Sequence, residues 1–193
     1  MEELSLKEFL NLGKKDLKGK VVVFPTDTIY GIGALIDDYD GIKKIFDLKQ
    51  RPYNQPLANL CFSIEQVKQY VVKIPNSVKE ILAVDWPGAL TVIFQKKPEL
   101  ELPFNKETVS FRMPLSIVAL KILKNFGPLA TTSINIHGTK ELNDLVSIKE
   151  AFGLQIDYII TDKEIFSSVP STVIDATGEE LKVLREGQIK IRA

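Results

Sequence analysis

Two cations, Lys49 and Arg51, stand one residue apart directly before Pro52. Residues at positions i and i+2 of a helix do not share a face, so we expect the two side chains to be aimed separately. The proline restricts Arg51 and stiffens the following loop, which favours positioning over solvation. A commoner explanation is that both cations complement the negative end of a helix dipole at an exposed position. The positioning alternative predicts a pocket that holds a polyanion beside a small polar substrate.

Other polar residues that could take part in chemistry lie at the ends of strand-like runs. Arg112 ends the strand-like run 109–111, and a charge on a buried strand needs an anionic partner. Thr28 follows the apolar run 21–24, and the turn Ser133-Ile134-Asn135 follows the run 129–132. Arg185 stands in a turn-like segment, where alone it would be a solvated cation. Hydroxyl, amide and guanidinium groups at strand ends are suited to binding a small polar ligand.

Several familiar site types are excluded by what the sequence lacks. There is no G-x-x-x-x-G-K-[ST] loop, and the pair Gly31 and Gly33 has no third glycine at the dinucleotide-binding spacing. With one histidine, His137, and one cysteine, Cys61, a structural zinc site has too few ligands, so we expect no protein-bound metal. A lone loop histidine is more often a surface residue than a base, and Cys61 lies in an apolar context typical of an inert buried thiol.

The bulk composition is that of an ordinary globular protein. The chain has 193 residues, 45% hydrophobic and 26% charged, which predicts one domain over residues 1–193. Basic and acidic residues balance at 25 each, so no global field draws the chain to nucleic acid or membrane. A single cysteine fits a reducing compartment, and no signal-peptide pattern begins the chain. We therefore expect a cytoplasmic location and no membrane association.

The hydrophobic patterns predict helices interleaved with short apolar strands. Helical spacing is expected at residues 4–17 and 39–48, and a strand buried on both faces at 21–24. The C-terminal segments 172–175, 181–184 and 188–191 predict a β-rich meander. This order indicates an α/β layer fold, with antiparallel or mixed pairing near the end of the chain.

Taken together, seven segments resemble the YrdC-like threonylcarbamoyl-AMP synthases, over nearly the whole chain from Leu6 to Ile191. A single K-x-R would mean nothing, but seven segments in the family's order are hard to obtain by chance. They are FPTDTIYGIG at 24–33, KQRP at 49–52 with Pro56-Leu57, WPGALT at 86–91, TVSFRMP at 108–114, SIN at 133–135, PSTVID at 170–175 and LREG at 184–187.

The resemblance implies a single-domain, twisted, open mixed sheet with flanking helices and a concave substrate cleft. It implies an enzyme that joins L-threonine, bicarbonate or CO2, and ATP into threonylcarbamoyl-adenylate and releases pyrophosphate. ATP would be a substrate, with Mg²⁺ carried on its triphosphate rather than in a protein cage. The product would feed tRNA threonylcarbamoyladenosine modification through separate transferase proteins, and weak tRNA binding is expected.

The resemblance also implies roles for particular residues. Catalysis would fall to Lys49, Arg51, Ser133 and Asn135; threonine binding to Thr28, Arg112, Ser133 and Ser171; and nucleotide binding to Arg51, Thr108, Asn135 and Arg185. We expect Lys49 and Arg51 at an exposed cleft, and the side chains of both motifs, with Thr28, Arg112, Ser171 and Arg185, around one concave surface. Many family members carry a histidine where Leu60 stands, which removes one threonine contact here.

Three alternatives remain open at this point. The first is a catalytically silent relative that binds double-stranded RNA or tRNA through the same face, although the presence of both K-x-R and S-x-N favours an enzyme. The second is a carbamoyl-adenylate-forming domain of the hydrogenase-maturation kind, against which a chain of 193 residues with one cysteine argues. The third is a purely structural or interaction module.

Overall fold

The computed structural model describes residues 1–164, 167 and 169–191. Among these residues it contains ten strands and six α-helices. The strands are β1 (Glu2–Leu4), β2 (Val22–Pro25), β3 (Tyr30–Leu35), β4 (Ala58–Leu60), β5 (Leu90–Gln95), β6 (Thr108–Arg112), β7 (Leu129–Ser133), β8 (Tyr158–Ile160), β9 (Thr172–Asp175) and β10 (Lys182–Arg185). The helices are α1 (Leu6–Phe9), α2 (Tyr39–Lys49), α3 (Ile64–Lys68), α4 (Asn76–Asp85), α5 (Ile117–Phe126) and α6 (Leu145–Phe152).

All ten strands belong to one open sheet with the order β1-β8-β2-β3-β7-β4-β6-β5-β9-β10. The sheet is mixed, because β8 pairs in parallel with β1 and β2, whereas β3 is antiparallel to both β2 and β7. The other half has parallel pairs β4–β6 and β5–β9 and an antiparallel β5–β6 pair. The predicted mixed α/β sheet with flanking helices is confirmed. In the described part of the chain, no helix is both long and apolar enough to cross a lipid bilayer.

Helices cover one face of the sheet more completely than the other. On the first face, α2 and α6 pack on β2, β3 and β7, and α3 and α4 pack on β5, β6 and β9. On the second face, α1 and α5 cover the β8, β2 and β3 region. The half of the second face formed by β6, β5 and β9 lies outside this helical cover.

Burial along the strands identifies this open half-face. Phe111, Val92 and Ile174 are register partners on the first face, and all three are fully buried. Their sequence neighbours Ser110, Ile93 and Asp175 are also register partners but are only half-buried. Because side chains alternate between faces along a strand, Thr108, Ser110 and Arg112 all project from β6 toward the open side. The open half-face is therefore where a ligand can approach the sheet.

The expected helix over residues 4–17 is wrong. Ser5 caps α1 through its side chain, as the capping pattern suggests, but the helix ends at Phe9. A separate 3₁₀ turn covers Lys14–Leu17, where the Asp16 carboxylate accepts a hydrogen bond from the Gly13 N–H at 2.7 Å. Residues before Ser5 form β1 instead, because their ladder with β8 satisfies backbone groups that a helix would have left exposed.

The strand expected over residues 188–191 is also wrong. The chain after β10 bonds to a side chain rather than to a strand: Thr172 Oγ1 accepts hydrogen bonds from the N–H groups of Gly187 and Ile189 at 3.0 and 3.2 Å. These bonds satisfy the backbone without a ladder. Within residues 169–191, the meander consists of β9 and β10. Strand β3, in contrast, was not predicted, because its Gly31 and Gly33 resemble a turn more than a strand.

Candidate active site

The end of helix α2 separates the two cations of the K-x-R motif. Gln50 adopts a left-handed backbone with φ 53° and ψ 39°, and the Arg51 N–H donates to the Phe46 carbonyl at 2.9 Å. A left-handed non-glycine residue costs on the order of 1 kcal/mol, so surrounding contacts must hold it. The reversal of the chain at Gln50 sends Lys49 into the protein and Arg51 toward its surface, as the spacing predicts.

Lys49 is buried, which corrects the expectation that it lies in an exposed cleft. Only 2% of the residue is exposed to solvent. Its ammonium donates to the carbonyl oxygens of Ser133 and Asn135 at 2.6 and 2.9 Å, and to Asn135 Oδ1 at 2.6 Å. An ammonium has three N–H donors, and these three bonds use all of them. Lys49 therefore joins the K-x-R motif to the S-x-N turn.

The surroundings of Lys49 also set its charge. Burial lowers the pKa of this amine to about 8, and the nearby Arg51 acts in the same direction, while Glu141 opposes both. The three oxygen acceptors favour the charged form. At neutral pH the ammonium is therefore protonated, with little margin.

The S-x-N turn is fixed by its own bonds as well as by Lys49. Ser133 Oγ donates to Asn135 Oδ1 at 2.7 Å, and Asn135 Nδ2 donates to the carbonyls of Ile136 and Thr139 at 3.0 and 2.7 Å. The His137 N–H in turn donates to the Lys49 carbonyl at 2.8 Å. Asn135 is thus committed to the protein, whereas the half-buried Ser133 keeps hydroxyl lone pairs that can accept a bond.

Arg51 lies on the outer side of this cluster and is half-buried. Its Nε donates to the Gln55 carbonyl at 2.9 Å and its Nη2 to the Pro56 carbonyl at 3.3 Å. These bonds use two of the five guanidinium donors, and burial lowers the pKa of Arg51. The stiffened loop after Pro52 therefore holds the guanidinium while leaving donors available to an anion.

A second cluster surrounds Arg112, of which 8% is exposed. Its Nη2 donates to Asp27 Oδ1 at 2.6 Å, its Nη1 to Thr28 Oγ1 at 3.2 Å, and its Nε to the Gly88 carbonyl at 3.2 Å. Asp27 is the anionic partner that a charge on a buried strand requires. Among the described residues these bonds use three of five donors. One N–H is left on each terminal nitrogen, the pair that forms a fork to a carboxylate.

Ser171 and Arg185 adjoin Arg112 across the sheet. Thr91 is the register partner of Arg112, and its Oγ1 lies 2.9 Å from Ser171 Oγ. Arg185 Nη2 donates to the hydroxyl and to the carbonyl of Ser171, at 3.0 and 2.8 Å. Burial and the charge of Arg112 lower the pKa of Arg185, which indicates that the two cations are close neighbours. Arg185 is exposed, but its bonds to Ser171 distinguish it from a freely solvated turn cation.

The β2–β3 turn connects the two clusters. Thr26 Oγ1 lies 3.2 Å from Thr28 Oγ1, and the Thr26 methyl lies over Gly31, whose register partner is Ser133. A Cβ at Gly31 would stand 2.9 Å from the Thr131 methyl, so only glycine lets the strands and the turn approach so closely. Thr28 is thereby held between Arg112 and the S-x-N strand.

Thr108 is the most distant of the predicted residues. It is exposed at the first position of β6 and shares a strand face with Arg112. Four residues along a strand correspond to roughly 13 Å. Thr108 therefore lies at the far end of the open half-face, a separation that an extended ligand such as a nucleotide could span.

A cleft of about 450 Å³ lies beside the Arg112 cluster and contains none of the eight side chains expected around one concave surface. Asp27 and Gly88, both of which hold Arg112, line it together with Val84, Leu115 and Ile189. The cleft is therefore adjacent to the predicted residues, and it borders Arg112 on the side where Asp27 and Gly88 bond to it.

Sequence reasoning missed Asp27 and Thr91 as members of the site. Both lie inside the segments that carry the resemblance, and the need of Arg112 for an anionic partner was a usable signal for Asp27. Nothing local distinguishes Thr91 from any other strand threonine. Cys61 is fully buried and its pKa is raised by burial, as expected of an inert thiol, and His137 is exposed.

Comparisons with known proteins match this chain over most of its length. The model of the Sua5/YciO/YrdC family, described as "Telomere recombination", matches residues 17–187. A "Putative threonylcarbamoyl-AMP synthase" of Mycobacterium tuberculosis is 32% identical over 173 residues, which are 89% of this chain and 80% of that protein. A "Threonylcarbamoyl-AMP synthase" of Pyrococcus abyssi is 34% identical over 177 residues, 90% of this chain and 52% of that protein.

A solved structure shows the same likeness in three dimensions. The crystal structure of P. abyssi Sua5 complexed with L-threonine superposes with a TM-score of 0.84 at 33% identity, over 94% of this chain and 54% of that one. The chain thus spans about half the length of the P. abyssi relatives it matches. The family model covers all seven segments that carry the resemblance, and the sheet superposes on that of a family member, so the chain belongs to the Sua5/YciO/YrdC family.

Proposed function

We propose that this chain is a nucleotidyltransferase that forms threonylcarbamoyl-adenylate and pyrophosphate from L-threonine, bicarbonate or CO2, and ATP, and that one domain suffices for it. The observation that carries the proposal is the guanidinium of Arg112. It keeps one donor on each terminal nitrogen and lies beside the hydroxyl of Thr28. The names of the relatives and the threonine complex of the P. abyssi protein support the same assignment.

The threonine end of the site would be built around Arg112. Its two remaining donors suit a bidentate bond to the carboxylate of an amino acid. The buried hydroxyls of Thr28 and Ser171 and the half-buried hydroxyl of Ser133 suit the amine and hydroxyl of threonine, which need short polar partners. The histidine that many relatives carry is absent at Leu60, so the hydroxyl groups provide this recognition here.

The nucleotide would lie along the open half-face, from Arg185 and Arg51 toward Thr108. With CO2, the threonine nitrogen first adds to the carbon and loses a proton, which gives an N-carboxylate. With bicarbonate, the same N-carboxylate forms when the carbon also loses one oxygen as water. An oxygen of that carboxylate attacks the α-phosphorus of ATP, the bond from this phosphorus to the bridging oxygen breaks, and pyrophosphate leaves. Charge grows on the phosphate oxygens, and Arg51 stabilises it through its unused donors.

Lys49 has a different part in this proposal from the one that its charge suggests. With all three donors on Ser133 and Asn135, it keeps the S-x-N turn in place and supplies a positive potential without a direct phosphate contact. Asn135 acts in the same way, through the bonds that hold the turn. Ser133 is then the member of the turn that touches substrate.

Mg²⁺ would come to the site with the nucleotide. In the residues that the structure describes, no three His, Cys, Asp or Glu side chains converge as metal ligands. Triphosphate oxygens and waters satisfy the octahedral preference of Mg²⁺, so the ion would neutralise part of the phosphate charge without a protein cage. We further propose that the product passes to transferase proteins that modify tRNA in the cytoplasm, with at most weak contact between this chain and tRNA.

The test is an assay of the purified protein with ATP, L-threonine and bicarbonate. We expect pyrophosphate release that depends on all three, and a product with the mass of threonylcarbamoyl-adenylate. Threonine should support turnover far better than valine or 2-aminobutyrate, with serine in between, because a site that pairs a hydroxyl leaves polar groups without partners when it is missing. Absence of pyrophosphate, together with binding to double-stranded RNA, would instead support the silent relative.

A further inference from the structure

The ion pair between Asp27 and Arg112 is unusually well shielded for a pair that borders a binding site. The side chains are 13% and 9% exposed, and the charged atoms are 2.6 Å apart. The two residues are 85 positions apart in sequence, so the pair joins the β2–β3 turn to strand β6. Removing a carboxylate from water is costly. We therefore expect the partly buried carboxylate of Asp27 to have a specific role that offsets this cost.

The backbone around Asp27 is held in place independently of Arg112. Thr26 Oγ1 donates to the Ile29 carbonyl at 2.6 Å and accepts from the N–H groups of Thr28 and Ile29, both at 3.3 Å. The Asp27 carbonyl accepts a bond from the Ser167 N–H at 3.0 Å. The turn is therefore fixed by local bonds, and it presents the carboxylate at a defined point beside β6.

The guanidinium is held by three hydrogen bonds, of which the one to Asp27 is the shortest. It is a long side chain whose rotamer freedom must be lost if it is to form a fork to a ligand. Its Nε donates to the Gly88 carbonyl and its Nη1 to the Thr28 hydroxyl, both at 3.2 Å. The bond from Nη2 to Asp27 is shorter and is charge-assisted. The bond to Asp27 is therefore the strongest of the three restraints on the direction of the two remaining donors.

We propose that Asp27 is a positioning residue for threonine: it orients Arg112 so that the terminal N–H pair faces the amino-acid carboxylate. This inference rests on the proposed function, and it adds a residue and a role to it. Asp27 acts through Arg112 and does not touch the reacting atoms. Its negative charge also balances that of Arg112.

The test compares Asp27→Asn and Asp27→Ala in steady-state kinetics of pyrophosphate release. Asparagine keeps an oxygen acceptor for Nη2 but no charge, whereas alanine removes both. Loss of one charge-assisted hydrogen bond corresponds to about a 10-fold change or more. We therefore expect KM for threonine to rise about 20-fold in Asp27→Ala and about 5-fold in Asp27→Asn. KM for ATP should stay within about twofold, and kcat should change less than KM for threonine.

A matched control is Asp157→Asn, which removes the charge of another shielded, ion-paired carboxylate. Asp157 pairs with Lys20 and Lys44 outside both clusters. We expect it to reduce stability and to leave both KM values unchanged. If Asp27→Ala does not fold, Asp27→Asn decides alone, with folding checked by circular dichroism.

Two failures can be separated by this design. If the wild-type protein releases pyrophosphate with threonine but Asp27→Asn has an unchanged KM for threonine, the positioning role is wrong and the proposed function stands. An equal rise in both KM values would also overturn it, because a merely structural loss affects both substrates. If the wild-type protein neither binds threonine in calorimetry nor releases pyrophosphate, the proposed function itself fails.

Discussion

Two buried cations in this protein are used in opposite ways. Lys49 is 2% exposed and places every N–H donor on an oxygen of the Ser133–Asn135 turn. Arg112 is 8% exposed, shares a short ion pair with Asp27, and keeps donors on both terminal nitrogens. The first cation is therefore saturated by the protein, and the second keeps donors that the described residues do not use. Burial alone does not distinguish a structural cation from a binding one; the number of unused donors does.

The chemistry of the two groups explains the division. An ammonium carries three donors on one atom, so three converging carbonyl-type oxygens exhaust it. A guanidinium carries five donors on a planar fork, so it can bond to the protein on one side and to a carboxylate on the other. If Lys49 and Arg112 were exchanged, the oxygens around each position would stay the same. Neither residue would therefore take over the role of the other.

Replacement of Lys49 should have the largest effect. In Lys49→Met, two carbonyl oxygens and Asn135 Oδ1 lose the lysine donor, and Asn135 Oδ1 keeps only its bond from Ser133 Oγ. We expect turnover to fall on the order of 10³-fold. The free energy of unfolding should fall by about 1–3 kcal/mol. The fall is limited because the substitution also removes a buried charge, whose desolvation is costly. Urea unfolding would measure this change in the free energy of unfolding, provided that the m-value is unchanged. A variant as stable as the wild type would show that the bonds of Lys49 do not hold the turn.

Replacement of Arg51 should lower turnover without lowering the stability of the fold. In Arg51→Ala, two bonds to loop carbonyls are lost, but the residue is half-buried and water can replace them. We expect turnover to fall about 10²-fold, the scale of one lost preorganised donor. The unfolding midpoint should stay close to that of the wild type, in contrast to Lys49→Met. Wild-type turnover in Arg51→Ala would remove it from the phosphate end of the site.

Arg112→Lys should separate charge from geometry. The charge and a bond to Asp27 can be kept, but an ammonium cannot offer a planar fork to a second carboxylate. We expect KM for threonine to rise roughly 30-fold with a smaller change in KM for ATP. Arg185→Lys is the matched control, because Arg185 is assigned to the nucleotide end. If Arg185→Lys raised KM for threonine as much, the division between the two ends would be wrong.

The smallest effect expected is a pH dependence that originates in the Lys49 cluster. The pKa of Lys49 is held at about 8 by burial, against about 10.4 in an unfolded chain. Between these values the unfolded chain binds the extra proton, so the free energy of unfolding rises with pH through this window. The neutral amine has too few donors for its three acceptors, so turnover should fall a few-fold in the same window.

The measurement pairs a pH–rate profile with urea unfolding from about pH 7 to about pH 10. Lys49→Met supplies the reference for stability, and the margin by which the wild type exceeds it should grow as the pH rises. Lys49→Arg is the control for rate, because its guanidinium stays charged and its profile should lack the fall caused by the amine. A wild-type stability that decreases across this window relative to Lys49→Met would contradict the lowered pKa.

Local sequence patterns determined much of the secondary structure of this protein. The amphipathic segment 39–48 predicted α2 nearly to its ends, because apolar spacing acts over a few residues. The charge on the strand ending at Arg112 required an anionic partner, and the structure supplies one in Asp27. Local reasoning failed where pattern and pairing disagree, as in β1, β3 and the C-terminal segment 188–191.

Tertiary structure alone decided which cation is saturated and which is available. Lys49 meets Ser133 across 84 positions and Arg112 meets Asp27 across 85, and both contacts depend on where the strands pair. Strand register places Gly31 opposite Ser133 and Thr91 opposite Arg112. Nothing in residue type or spacing fixes such a register, because it depends on the packing of whole sheet faces. The sequence therefore supplied the residues of the site, while the pairing of distant strands determined which of their donors remain free.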